Sequence, residues 1–203
     1  MINRELNLSK LLKKNYSALI FGARGTGKSH LAAQYIESLG TSSEVMQLNL
    51  LESDTFEKYL KQPHLLRKEI VKKFDRGVAS TPLCVFIDEI QKVPKLLDEI
   101  HSLIETYPGH VQFLMTGSSA RKLKRSSANL LAGRALSLRL HPFTYQEWGN
   151  DIFDRLQFGS LPGIAFKFRD DDDTVKLALK SYVSTYLKEE MSIFRFWKTH
   201  WLR

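Results

Sequence analysis

Eight residues near the N-terminus carry the densest chemistry in the chain: Gly22, Ala23, Arg24, Gly25, Thr26, Gly27, Lys28 and Ser29. Their glycines permit a tight turn whose successive backbone N–H groups face one point, and an amine and a hydroxyl follow immediately. Such a turn suits an anion with several oxygens. The spacing G-x-x-x-x-G-K-[ST] is the Walker A pattern for phosphates, and it requires a strand before it and a helix after it. Ser17–Phe21 supplies a short apolar strand, and Lys28–Leu39 supplies a helix whose Leu31, Ala32, Tyr35, Ile36 and Leu39 face inward before Gly40 stops it. The context therefore predicts binding of ATP or a close relative. The backbone from Gly22 through His30, aided by the positive end of the helix dipole, would surround the phosphates. Lys28 would reach the β- and γ-phosphates, and Ser29 would ligate a bridging Mg2+. The Arg24 and Thr26 side chains occupy variable positions of the pattern and receive no role.

A second element has the form of a Walker B strand. Leu83-Cys84-Val85-Phe86-Ile87 is apolar throughout, as a strand buried on both faces must be, and it ends in Asp88-Glu89. Ligands of open α/β sheets bind at the carboxyl ends of the strands. Asp88 would hold Mg2+ mainly through its water shell, because this ion dehydrates reluctantly. Glu89 would orient or deprotonate an attacking water, which favours hydrolysis over transfer to a small acceptor. Met115-Thr116-Gly117-Ser118-Ser119 closes the next strand at the same edge, so Thr116 or Ser118 could contact the γ-phosphate or the water. Arg134, beside Gly133, is a candidate for stabilising transition-state charge, in cis or across a subunit interface. Arg121 has weaker support. The six histidines show no metal-ligand spacing.

The elements around these motifs alternate strand and helix. Leu6, Leu8, Leu11 and Leu12 suggest a leading helix over Asn3–Lys14; Val45–Leu50 reads as a strand, and Asp54–Phe74 as helical with a break at Pro63. After Leu83–Ile87, Pro94 suits the first turn of a helix carrying Leu96, Leu97, Ile100, Leu103, Ile104 and Tyr107, and Pro108-Gly109 closes it. Val111–Thr116 and Ala135–Leu140 complete five strands. The predicted fold is α/β, a parallel sheet with right-handed crossovers. From His141-Pro142 the character turns aromatic, with Phe143, Tyr145, Trp148, Phe153 and Phe158, so the expected division is a core over 1–142 and a helical appendage, incomplete, over 143–203. Four acids, Asp170–Asp173, precede a helix carrying Val175, Leu179 and Tyr182, and they read as a cap and dipole complement rather than a metal site.

Composition narrows the remaining classes. At 203 residues and 43% hydrophobic content, the chain can bury one main core. The lone Cys84 excludes an intramolecular disulfide, and no apolar run approaches the ~18 residues of a membrane span, so a cytoplasmic, non-membrane protein is expected. The net charge is +8, and Thr106–Gln146 holds Arg121, Lys122, Lys124, Arg125, Arg134 and Arg139 with no acid. Nucleic acid, nucleotide phosphates or an acidic protein surface would all suit the basic stretch 121–139.

Taken together, the stretches Gly22–Ser29, Phe86–Leu97, Phe113–Leu123 and Leu131–Thr144 resemble a group of bacterial and archaeal ATPases of the AAA+ class. The resemblance covers roughly residues 1–190. It implies a P-loop three-layer sandwich with five parallel strands in the order 5-1-4-3-2; with the Walker motifs, ATP and Mg2+ are the expected cofactors, and a monomer and a homo-oligomeric ring both stay open. Longer members of that group carry a C-terminal domain like a restriction nuclease, so the ending Phe194–Arg203 reads as truncated or altered, and no nuclease activity is carried over. Three activities stay open: ATP hydrolysis that moves the appendage, a nucleotide-gated DNA- or protein-binding module with negligible hydrolysis, and a small-molecule kinase with a basic lid.

Overall fold

The computed structural model describes residues 3–75, 81–118, 131–149, 152–167 and 171–187. Its strands are β1 (Ser17–Phe21), β2 (Glu44–Asn49), β3 (Leu83–Asp88), β4 (Val111–Gly117) and β5 (Ala135–Arg139). All neighbours pair in parallel, in the order β2-β3-β4-β1-β5, which is the expected order read from the other edge. Successive side chains of a strand point to opposite faces, so each central strand feeds two cores. Leu19, Leu83, Val85, Ile87, Phe113 and Met115 face one cluster, while Ala18, Ile20, Cys84, Phe86 and Leu114 face another.

The helices cover these two faces. On the first lie α3 (Ser53–Lys61), α4 (Leu65–Asp75) and α5 (Leu96–Thr106), which contribute Tyr59, Leu66, Ile70, Leu97, Ile100 and Leu103. On the second lie α1 (Leu8–Leu11) and α2 (Lys28–Leu39), with Leu8, Leu31, Ala32 and Tyr35. The result is the three-layer sandwich. Pro63 falls between α3 and α4, where its missing N–H and fixed φ cannot continue a helix. The leading segment departs from expectation. Instead of one helix over Asn3–Lys14, only Leu8–Leu11 is α-helical, followed by a 3-10 turn at Lys13–Asn15. Asn7 delays the start by capping, its side chain accepting from Lys10 N, and Asn15 ends the turn in the left-handed region at φ 59°. Leu8 and Leu12 are buried while Leu11 is exposed, so two anchors replace a continuous stripe.

The chain divides into two compact units, one of 4–23 with 27–141, the other of 142–203 with 1–3 and 24–26. In the second, α6 (Tyr145–Trp148) starts from a capping box between Thr144 and Glu147. Then come α7 (Ile152–Phe158), α8 (Pro162–Lys167), α9 (Asp172–Tyr182) and a π-helical turn, Val183–Leu187. Phe158, Ile164 and Val175 form its small core, and the rings of Phe143, Trp148 and Phe166 pack against one another. Asp171 caps α9, accepting from the N–H groups of Asp173 and Thr174, and the Thr174 hydroxyl holds its carboxyl below the usual carboxylate range. Asp171 is the cap and Asp172 and Asp173 lie in the first turn, while Asp170 is outside the described residues. Among the described residues no helix is long and apolar enough to cross a membrane. The ending Phe194–Arg203 lies outside the described residues.

Candidate functional site

The glycine-rich loop leaves β1 and enters α2. Gly25 and Gly27 hold φ of 81° and 88°, values that an L side chain rarely adopts, so the turn requires glycine at both. Helix α2 begins at Lys28 with Gly27 as N-cap; no side chain caps it, and its first turn contains no acid. No side chain of the helix's own first turn competes there with the positive end of its dipole. Thr26 and Lys28 are buried. Burying an ammonium is costly unless it is paired, and Lys28 Nζ donates to the carbonyls of Gly22 and Ala23 at 3.0 and 3.1 Å. Ser29 and His30, which follow Lys28 in the first turn of α2, are exposed. The Arg24 carbonyl accepts from the Tyr182 hydroxyl at 3.1 Å, inside the second unit.

Parallel pairing brings the ends of β3 and β4 to the same edge. Ile20 lies level with Thr116, and Ile87 with Met115, so Asp88, Thr116 and the loop emerge together. Ser29 Oγ donates to both Asp88 oxygens, at 3.0 and 2.9 Å. A hydroxyl and a carboxylate are the hard oxygen donors Mg2+ prefers, whether they meet the ion directly or through its water shell. The pair fits that ion. Thr116, fully buried, donates to Asp88 Oδ1 and accepts from Glu89 N at 3.1 Å. With one donor and one acceptor engaged, its hydroxyl ties β4 to both acids.

Glu89 sits at φ 59°. Asn15 is the other described non-glycine at positive φ, and asparagine tolerates that region; glutamate does so at a cost of about 1–3 kcal/mol, as strained functional positions often do. Two anchors hold the strained residue. Its N–H goes to Thr116, and its Oε2 accepts from Ser118 Oγ at 3.1 Å and from Gln91 Nε2.

Arg134 lies elsewhere. It precedes β5, whose Ala135 pairs with Ser17 at the start of β1, whereas the loop leaves after Phe21. Four residues of strand, about 13 Å, separate those levels. There Arg134 pairs with Glu105 at the end of α5 and draws that carboxyl below its usual range. Ser119, Arg121, Lys122, Lys124 and Arg125 lie outside the described residues, and Arg139 is exposed on β5.

Two neighbours of the loop and acids receive no role from the sequence. Gln91 is within the quoted Phe86–Leu97 stretch, but nothing in its type announces a bond to Glu89. Arg4 donates to the His141 carbonyl, and its Nη1 lies 4.0 Å from where a Cβ on Gly27 would stand. An isolated arginine ahead of the first strand carries no spacing that marks it.

The fold and this edge define a P-loop α/β domain of the AAA+ type. The chain belongs to the AAA domain family, whose model matches residues 14–149. It is 28% identical over 156 residues to an uncharacterized protein of Haemophilus influenzae, a match covering 73% of this chain and 37% of that protein. A match to an uncharacterized protein of Mycobacterium tuberculosis, 28% identical over 109 residues, covers 53% and 24%. The chain thus spans well under half the length of these relatives. The Aeropyrum pernix ORC1 protein, solved in complex with DNA, superimposes with a TM-score of 0.53 at 17% identity, covering 77% of this chain and 50% of that one. That likeness is one of fold.

Proposed function

We propose that this edge binds ATP with Mg2+ and hydrolyses its terminal phosphate, with residues 143–203 forming a helical appendage that responds to the nucleotide. The observation that carries the reading is the convergence of Lys28, Ser29, Asp88 and Glu89 at one strand edge, beside a helix start that no side chain caps. An arriving triphosphate would replace the Gly22 and Ala23 carbonyls as partner of Lys28, an exchange of dipoles for an anion. Backbone amides from Gly22 to His30 would surround its oxygens. Ser29 and Asp88 would hold Mg2+, which when bound neutralises charge on the β- and γ-phosphates. Glu89 would take the proton of the attacking water, and Thr116 would keep both acids in place.

Arg134 stands at the far end of β5, so we assign it to the neighbouring copy in a homo-oligomer, where it would meet that copy's nucleotide. The basic stretch 121–139 is the proposed contact for DNA or a protein partner, in the cytoplasm. The test is ATP binding and turnover with Lys28→Ala. Loss of both is expected, with turnover down by at least about 10²-fold, the scale on which one positioned electrostatic group acts. Undiminished turnover would remove the assignment.

A further inference from the structure

Gln91 is engaged more tightly than a surface amide has reason to be. It sits on the 3-10 turn Ile90–Lys92, seated in the core by Ile90 and Val93, both buried. Its Nε2 donates to Glu89 Oε2 and to Ser118 Oγ, the latter at 3.1 Å, while Ser118 donates in turn to the same Glu89 oxygen. Amide, hydroxyl and carboxylate close a triangle. Its orientation follows from charge, because turning the amide over would set an oxygen against the carboxylate. The other end of the amide is also confined. Gln91 Oε1 is buried without a donor among the described residues, and a Cβ on Gly117 would stand 2.9 Å from it. Gly117 has no side chain where this amide passes.

An unpaired buried carbonyl is unfavourable, so the arrangement is not the one that stability alone would select. What it achieves is a fixed Glu89. Thr116 holds the backbone of that residue in its strained conformation, and Gln91 with Ser118 holds the carboxylate. A general base contributes only when it stays within small tolerances of the proton it takes, and a displacement of ~1 Å can lower a rate about 10²-fold. We infer that Gln91 is a positioning residue for Glu89, orienting its carboxylate toward the attacking water, and that Gly117 leaves the amide the room to do so. The inference rests on the proposed hydrolysis.

The test compares steady-state ATP hydrolysis by the wild type, Gln91→Met and Gly117→Ala. Methionine keeps the length and removes both the donors and the unpaired oxygen, so folding is not expected to suffer; thermal melts check this. Gly117→Ala leaves the amide chemistry intact and pushes it aside. Both variants should lose kcat by tenfold or more, up to about 10²-fold, with KM for ATP within about twofold. A packing role would not give that split. The second readout is non-additivity: adding Gln91→Met to Glu89→Gln should leave the residual rate unchanged, because the base it positions is gone. Unchanged or increased kcat in Gln91→Met, a fall in ATP affinity matching the fall in turnover, or an added loss on top of Glu89→Gln would each overturn the inference. If the wild type itself hydrolyses nothing, the proposed function fails; if it hydrolyses and Gln91→Met matches it, only this inference does.

Discussion

Both ends of the central strands carry a glutamine, hydroxyls and a strand pair, yet they are closed to different degrees. At the N-terminal end, Gln112 and Tyr35 are buried; the Tyr35 hydroxyl donates to Gln112 Oε1 at 3.1 Å, and Gln112 Nε2 donates to the Tyr16 carbonyl at 2.9 Å. Ser17 Oγ accepts from Phe113 N beside them. Burial pushes the Tyr35 phenol pKa up, against the opposing bond to Gln112. Both ends of that amide are used. At the C-terminal end, Asp88 and Glu89 are half-buried, Ser29 is exposed, and Gln91 leaves one oxygen unmatched. A network that satisfies itself holds structure; one made of acids and hydroxyls at an open edge can exchange those partners for phosphate, cation and water.

Three substitutions sharpen or break that contrast. The largest effect is expected from Arg134→Ala, because an arginine acting on a neighbour's transition state can contribute ~10³–10⁵ in rate. ATP affinity should hold while turnover falls, and wild-type specific activity should rise with protein concentration. Turnover that is independent of concentration, together with an active Arg134→Ala, would confine all the chemistry to one copy. Next comes Gln112→Leu, which strands the Tyr35 hydroxyl and the Tyr16 carbonyl and should destabilise by about 1–3 kcal/mol in urea unfolding. Its kcat should match the wild type; a fall would show that the closed end also serves catalysis. The smallest is Tyr35→Phe, expected to lower stability by about 1 kcal/mol with no effect on turnover.

The sequence makes the local parts of the site legible. Glycine spacing, a helix with one apolar face and an apolar strand ending in two acids are patterns within a few residues, and Lys28, Ser29, Asp88 and Glu89 follow from them. Strand order came through resemblance, since no local pattern specifies it. What stayed hidden depends on register and reach. Gln91 matters because Ser118 and Gly117, more than twenty residues on, pack against it. Arg134 reads as a candidate in cis or in trans until Ala135 pairs with Ser17 and fixes it at the opposite end of the sheet from the loop. Thr116 reads as a candidate for contact with the γ-phosphate or the water; its buried bonds to Asp88 and Glu89 depend on strand register and are not written in its own stretch. The leading helix failed for a local reason: Asn7 is a better cap than interior residue, so the helix starts after it.

The central claim is that Glu89 acts on water at a nucleotide held by Lys28, Ser29 and Asp88. Its most direct test is Mg2+-dependent ATP hydrolysis by the wild type and Glu89→Gln, with ATP binding measured on both. Removing a general base should lower kcat by about 10²–10⁴-fold while ATP affinity is retained. A Glu89→Gln variant that binds ATP and hydrolyses it at the wild-type rate would contradict the account.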